Sequence, residues 1–488
     1  MRKVLTKSDY LSGLECPKYL WVIFNQPDLI PKLSKVDEYK LLEGIKVGQL
    51  AKKLYPDGID IPTEDNNENL RVTKELLNER KPLFEAGFVH NNCLSRVDIL
   101  APVECGWELV EVKSGTKVKD VNLHDVAFQK YIYEANSLKI KSSYLLHLNK
   151  EYVRKGELEL EELFIKEDIS EQVDQLLVDI EENILSIFEL IKEKDEPQPG
   201  IFHPRIIKNG NHNCLRDNCI NITENSVFNL YRGKKLACKL FKEGIETLGD
   251  IPEDCVLTEK QNIQRECKQQ NRIHINKELI NEFLAQLQYP LYYLDFETIS
   301  TAIPMFDDLT PFAIVPFQYS LHRLRDEGAE LEHYEFLYDS CEDPRKEFIE
   351  ELQKVLGESS SIVVYNKSFE IKRLEELAEF LPEHKEWVSS TVPRIVDLLV
   401  PFRNFYYYNP KQKGSASIKA VLPAITGKSY DDLDIAEGMT ASIEYLRVTY
   451  DECAPDEKQK IRNDLLKYCE LDTLAQVNIV YELQELVM

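Results

Sequence analysis

The clearest pattern of apolar and polar positions lies past the middle of the chain. Leu291-Tyr292-Tyr293-Leu294 is an unbroken apolar run, and Asp295-Phe296-Glu297-Thr298 then alternates polar with apolar. The run predicts a buried strand, and a side-chain period of two places Asp295 and Glu297 on one face. A second apolar run, Ile362 to Tyr365, leads through Asn366 into a helical pattern whose first turn holds Glu370. Near the C-terminus Tyr468 and Asp472 stand four apart in a helical pattern, again on one face. Strands over 291–296, 314–323, 331–337 and 361–365, with a helix over 344–356, make residues 286–488 an α/β domain.

The N-terminal part reads differently. Residues 1–200 begin with helical patterns, continue with strand-like runs near 93–100, 107–113 and 140–148, and close with a helix over 171–194. Asp98 lies in the apolar-leaning stretch from Val97 to Leu100. Trp107 to Lys113 alternates, so Glu111 and Lys113 share a face, and Gln129 and Tyr133 lie four apart on the next helix. The stretch EKDEPQPG (193–200) marks a boundary by its charge, prolines and glycine. Residues 201–285 form a basic helical connector that contains cysteines. Within it, 236–251 reads as helix, Gly244 turn and helix: either a plain hairpin or a turn whose amides meet phosphate.

Composition narrows the function classes. A chain of 488 residues implies two or three domains. Its net charge of -25 argues against a protein that coats nucleic acid nonspecifically. The charge is uneven: 16 acidic and 5 basic residues in 151–200, but 3 acidic and 8 basic in 201–245. No apolar stretch reaches the roughly 20 residues that span a bilayer. The start MRKVLTKSDYLSGLECPKYLW lacks the apolar core of a signal peptide. The expectation is a cytoplasmic protein without membrane partners, its eleven cysteines mostly reduced.

Two carboxylates on one strand face repel, and a divalent cation is the common remedy. Asp295-x-Glu297, Asn366 with Glu370, and Tyr468-x-x-x-Asp472 together resemble the DEDD exonuclease superfamily, the DnaQ-like branch of the ribonuclease H fold. That resemblance implies a ribonuclease H-like domain with a mixed sheet. Asp295, Glu297, Glu370 and Asp472 would hold two Mg²⁺ or Mn²⁺ ions, and Tyr468 would help position the attacking water. Glu370 departs from the family, which usually has Asp there. Asp397, in the run RIVDLL, reads as a cap or packing residue.

The N-terminal series, Asp98, Glu111-Val112-Lys113 and Gln129-x-x-x-Tyr133, resembles the RecB-like branch of the PD-(D/E)XK nuclease superfamily. It implies a restriction-endonuclease-like domain in which Asp98 and Glu111 bind one or two metal ions. Lys113 would orient water or stabilise the reacting phosphate, with Gln129 and Tyr133 in support. The early-helix histidine of many such enzymes is absent, and Glu43 is the candidate to contribute in its place. His124 reads as a helix-start cap or surface residue, with a site role as the alternative. RecB-like nucleases often carry an iron–sulfur cluster, and Cys16, Cys214 and Cys219 resemble three of its ligands. The expected last cysteine is missing near Asn225. His212 or Cys238 completing a zinc or cluster site, and a metal-free remnant, both stay open.

The stretch FRNFYYYNPKQKGSASIK (402–419) interleaves aromatics with basic residues. Tyr406 and Tyr408 could stack on bases while Lys411 and Lys413 meet phosphate, or the loop could simply pack on its domain. The chain as a whole resembles a bacterial family that fuses the two nuclease domains. The expectation is a metal-dependent nuclease acting on DNA, less readily RNA, with an exonuclease site at 286–488 and a second site at 1–200. Two readings compete with it: a catalytically degenerate nucleic-acid-binding adaptor, and a small-molecule phosphohydrolase.

Overall fold

A computed structural model describes residues 4–199, 222–430, 435 and 437–488. The chain divides into two compact units: Met1–Asn221 with Thr301–Ala313, and Ile222–Ser300 with Ile314–Met488. Both are mixed α/β, with 222–285 belonging to the second unit.

The first unit contains β1 (Leu5–Thr6), α1 (Lys7–Glu15), α2 (Pro17–Asn25), α3 (Lys35–Lys52), β2 (Ile59–Asp60), α4 (Asn66–Leu76) and β3 (Leu83–His90). There follow β4 (Cys93–Val103), β5 (Gly106–Lys113), α5 (Asp120–Ala135), β6 (Ile140–Leu148), α6 (Leu160–Leu163), β7 (Phe164–Asp168) and α7 (Ser170–Lys192). The sheet runs β2-β3-β4-β5-β6-β7, with β1 added parallel to the start of β4. The β3–β4 and β4–β5 pairs are antiparallel, whereas β5 and β6 are parallel, joined across α5. On one face Tyr10, Leu20, Phe128, Ile132, Ile180 and Ile184 close the core. On the other, Val47 and Ala51 of α3 pack with Phe84, Ile99 and Val110. Ala302, from the segment 301–313 that returns to this unit, completes that second core.

The second unit contains α8 (Lys234–Lys242), α9 (Glu259–Gln270), β8 (His274–Ile275), α10 (Lys277–Leu284), β9 (Leu291–Ile299), β10 (Val315–Leu324), β11 (Leu331–Leu337), α11 (Arg345–Val355) and β12 (Ile362–Val364). It continues with α12 (Lys367–Phe380), α13 (Lys385–Thr391), β13 (Ile395–Asp397), α14 (Val400–Arg403), β14 (Tyr407–Tyr408), α15 (Ile418–Thr426), α16 (Gly438–Tyr450) and α17 (Pro455–Val487). Five strands form a mixed sheet in the order β11-β10-β9-β12-β13. β9 is central, antiparallel to β10 and parallel to β12. Its alternation sorts the two faces. Tyr292, Leu294 and Phe296 join Phe348, Leu352, Leu374 and Leu377 in an apolar core beneath α11 and α12. The opposite face is polar and lies under α17. There Gln318 donates to Leu465 O at 2.9 Å and Gln476 to Leu294 O at 3.1 Å. Buried amides that bond backbone carbonyls fix a helix on a sheet at a defined register, because an unpaired buried amide is costly.

The helix–turn–helix expected over 236–251 is only half present. Gly244 does turn at φ +82°, but α8 is followed by a short 3-10 turn, Leu248–Asp250. Leu240 and Leu248 pack into one small core with Val227 and Ile251. No helix among the described residues is long and apolar enough to cross a membrane.

Candidate metal centres

In the second unit the polar face of the sheet gathers carboxylates. One oxygen each from Asp295, Glu297 and Asp472 lies within 4.8 Å of the other two. Strand period two delivers the first pair, and α17 lowers Asp472 onto them from above. Burial raises the pKa of Asp295, and repulsion from Asp472, Glu297 and Glu370 adds to it, against the pull of Lys419. Glu297 is raised for the same reasons, burial first and Asp472 second. Asp472 is raised by burial, although hydrogen bonds from Tyr430 and Tyr468 and the charge of Lys419 oppose the rise. Three acids that cannot comfortably ionise together are a donor set short of positive charge, and oxygen-only ligands suit Mg²⁺ or Mn²⁺.

Glu370 stands outside this trio. It lies in the first turn of α12, is 2% exposed, and its Oε2 has no hydrogen-bond partner. Burial lifts its pKa to about 8, with Asp397 contributing to the rise. An orphaned buried carboxylate oxygen fits a group waiting for a cation. Asn366 caps α12 from the left-handed region at φ +81°, a conformation Asn tolerates. Asp397 steadies that turn, accepting from Asn366 N at 2.9 Å and Leu399 N at 3.0 Å and pairing with Arg403 at 3.3 Å. It caps and packs, as its sequence context suggested.

Tyr468 is buried, and its hydroxyl accepts from Lys419 Nζ at 3.0 Å. Burial, then Asp472, Glu297 and Asp295, push its pKa far up, so the phenol keeps its proton. Tyr430 donates to Asp472 Oδ1 at 2.7 Å. Neither Lys419 nor Tyr430 entered the sequence reading of this site. Lys419 stood there only among the lysines of the aromatic loop.

The first unit brings its predicted residues together around Glu111, which is 1% exposed. Glu111 accepts from Lys113 Nζ at 2.6 Å, Lys7 Nζ at 2.7 Å and Gln129 Nε2 at 2.8 Å. Asp125, one turn before Gln129 on α5, accepts from Lys113 at 2.8 Å and Gln129 at 2.9 Å. Burial alone would lower both lysines, but Asp125 and Glu111 outweigh it and hold both ammoniums above the ordinary range. Asp98 Oδ2 accepts from Val112 N at 2.7 Å. Glu85 lies between the paired Phe84–Ile99 and Ala86–Val97 at φ +58°, a kink in β3 opposite Asp98. Burial raises its carboxyl.

Lys7 and Asp125 escaped the sequence reading. Asp125 had a local signal, since it shares a helix face with Gln129. Lys7 had half of one: Thr6 and Asp9 form a capping box that starts α1 at Lys7, but its partner Glu111 is 104 residues away. Among the described residues, Asp98 and Glu111 do not join a close three-ligand set. In this centre positive charge already comes from two lysines, so the donor set fits a metal less well than the acid trio does.

Several expected residues make hydrogen bonds to backbone or packing contacts. The Tyr133 hydroxyl accepts from Val97 N at 2.9 Å and donates to Ala86 O, stapling β3 to β4 from beneath. Glu43 Oε2 accepts from Ala302 N at 2.9 Å and so anchors the 301–313 segment. His124 is neither a cap nor on the surface; it is buried within α5, and burial lowers its pKa. Tyr408 is 1% exposed, its ring stacked on Phe405 at 4.8 Å and its hydroxyl bonded by Gln264 at 3.3 Å. It is a core residue and offers no face to a base, which corrects the stacking expectation for it. Tyr406 is half-buried, and Lys411 and Lys413 are exposed. Cys16 caps α2 through its sulfur, which accepts from Tyr19 N at 3.5 Å. Cys214, Cys219 and His212 lie outside the described residues, and Cys238 is half-buried on α8.

Comparison with known proteins finds similarity to uncharacterized proteins. Residues 292–417 match the family model described as Domain of unknown function (DUF2779). The stretch includes Asp295, Glu297, Glu370 and Asp397 and stops before Tyr468. An uncharacterized protein of Ureaplasma parvum is 28% identical over 279 residues, 53% of this chain and 40% of the relative. Uncharacterized proteins of Mycoplasma genitalium and Mycoplasma pneumoniae are each 32% identical, over 40% and 38% of this chain and 32% and 31% of their own lengths. The chain thus matches less than half the length of these curated relatives.

Proposed function

We propose that this protein is a metal-dependent nuclease, with a phosphodiester-hydrolysing centre at Asp295, Glu297, Glu370 and Asp472. The observation that carries the reading is the acid trio on the central strand and α17, crowded within 4.8 Å and raised in pKa by burial and mutual repulsion. A mixed five-stranded sheet with Asp295 and Glu297 on its middle strand accords with a ribonuclease H-like domain. When bound, Mg²⁺ or Mn²⁺ would lower the pKa of a water and neutralise charge on the phosphate. Asp295, Glu297 and Asp472 would hold the ions, and Glu370 would complete the shell.

The rest of the chemistry belongs to the chain itself. Tyr468 stays protonated, so it orients water by hydrogen bonding and does not abstract a proton. Lys419 donates to the Tyr468 oxygen, which leaves the tyrosine proton to point at Asp472 or at the attacking water. Exposed Lys411 and Lys413 are available to phosphates of a DNA or RNA strand. A 3′-5′ exonuclease is the family expectation for such a centre.

For the first unit a second reading has a specific observation in its favour. Glu111 is already bonded by Lys7, Lys113 and Gln129, an arrangement suited to a nucleic-acid-binding adaptor domain without its own metal. The test is incubation of end-labelled single- and double-stranded DNA and RNA with Mn²⁺, comparing wild type, Asp295→Ala, Lys113→Ala and the double variant. Loss of mononucleotide release in Asp295→Ala alone supports the C-terminal centre. Absence of product from every substrate would sink the nuclease reading and leave the adaptor.

A further inference from the structure

Beside the acid trio, on the same polar sheet face, His322 of β10 and His333 of β11 stand directly opposite each other in register. Their rings stack at 4.5 Å and 26°. One ligand atom each from His322, His333 and Glu470 of α17 lies within 4.8 Å of the other two.

Proton counting assigns the ring nitrogens. Thr473 Oγ1 donates to the carbonyl oxygen of Glu470 at 3.0 Å, which has no proton to offer. The single hydroxyl proton is thereby used. In its other two hydrogen bonds, to His322 Nδ1 at 2.8 Å and Ser320 Oγ at 2.8 Å, Thr473 must accept. Ser320 has then given its own proton to Thr473, so it accepts from His333 Nε2 at 2.9 Å. His322 therefore carries its proton on Nδ1 and His333 on Nε2. The lone pairs left over are His322 Nε2 and His333 Nδ1, and the latter is 3.9 Å from Glu470 Oε1.

Hydroxyls that bond the far nitrogen of each imidazole and fix its tautomer are the outer shell expected around a metal-ligating histidine pair. We infer that His322 Nε2, His333 Nδ1 and the Glu470 carboxylate form a binding site for a zinc-class divalent cation, separate from the acid trio. Two imidazoles and one carboxylate suit Zn²⁺, whereas the all-oxygen trio suits Mg²⁺ or Mn²⁺. Burial and the neighbouring His333 lower the pKa of His322 to about 4, so it is a neutral ligand at physiological pH. Tetrahedral Zn²⁺ needs ligand atoms about 3.4 Å apart. The Glu470 side chain is 45% exposed and can swing to close that gap. A cation held there would tie β10 and β11 to α17 through Glu470. The inference does not depend on the nuclease reading.

The experiment titrates the full chain with Zn²⁺ by calorimetry as wild type, His333→Gln, Glu470→Gln and Asp295→Asn. His333→Gln and Glu470→Gln are expected to lose one binding equivalent, or to weaken it at least tenfold, while Asp295→Asn retains it. Identical titrations for all four, or loss of that equivalent in Asp295→Asn, would overturn the inference. Wild-type crystals soaked in Zn²⁺ provide a measurement independent of variant folding. An anomalous peak at the zinc edge is expected between the two imidazoles and Glu470, and its absence there overturns the site.

Discussion

Tyr430 donates its phenolic proton to Oδ1 of Asp472 at 2.7 Å, forty-two residues away, and so takes one of the two oxygens of the acid that α17 brings to the trio. The other oxygen is thereby aimed. Removing the hydroxyl leaves that oxygen without its donor and strips Asp472 of a hydrogen bond that favours its charged form. Tyr430→Phe should weaken Mn²⁺ binding about five- to tenfold, the equivalent of a hydrogen bond worth about 1 kcal/mol. Mn²⁺ titration of the two proteins checks this, with unchanged affinity counting against the role given to Tyr430.

Glu370 makes the metal-free protein sensitive to pH. Its pKa rises from 4.5 to about 8 on folding. Between those values the native state keeps a proton that the unfolded chain has lost, so stability is full below 4.5 and declines as pH climbs towards 8. The melting temperature in chelator should therefore fall from about pH 5 to about pH 8. Glu370→Gln, which cannot ionise, should flatten that fall. Added Mn²⁺ should raise the melting temperature more at the upper end of this range than at the lower, since ionised ligands bind the cation. A metal-free melting temperature that rises across the range would contradict the assignment.

In the first unit Glu111 is compensated from two directions, by Lys7 and Lys113. Lys113→Met should destabilise by about 2 kcal/mol, because a buried charge loses a partner and the partly exposed lysine is partly screened. Combining it with Glu111→Gln should cost less than the sum of the two single changes, since the second removes the charge the first left unpaired. Thermal melts of the four proteins give this cycle, and strict additivity would argue that the pair is not coupled.

Tyr133 separates a structural from a catalytic role. Its hydroxyl bonds the backbone of both β3 and β4. Tyr133→Phe should lower stability by about 1–2 kcal/mol. Any nuclease activity assigned to the first unit should persist at a temperature where the variant remains folded. Loss of that activity in folded Tyr133→Phe would return the residue to the chemistry.

Lys411 and Lys413 are exposed in the aromatic loop. If they meet phosphates, Lys411→Glu with Lys413→Glu should weaken single-stranded DNA binding. The salt slope of log affinity should become shallower by about 0.7 for each phosphate that is no longer neutralised. An unchanged slope would place the strand elsewhere.

Local periodicity made the core of each candidate centre legible. Asp295 and Glu297 share a strand face, Tyr468 and Asp472 a helix face, Glu111 and Lys113 another strand face, because side-chain direction over two to four residues follows from backbone geometry alone. The apolar run Leu291–Leu294 likewise predicted the buried strand that became the centre of the sheet. What periodicity does not carry is the partner that arrives from far along the chain. Lys7 on Glu111, Lys419 on Tyr468 and Tyr430 on Asp472 are long-range pairings, and nothing in their neighbours names the charge or hydroxyl they will meet. Tyr408 shows the same limit in reverse. Its aromatic and basic surroundings suit a stacking platform, yet Phe405 and Gln264 enclose it. The sequence by itself determined which carboxylates face together. The tertiary structure decided which of them are left short of positive charge, because compensation in a buried site depends on groups that only the folded chain brings within hydrogen-bonding reach.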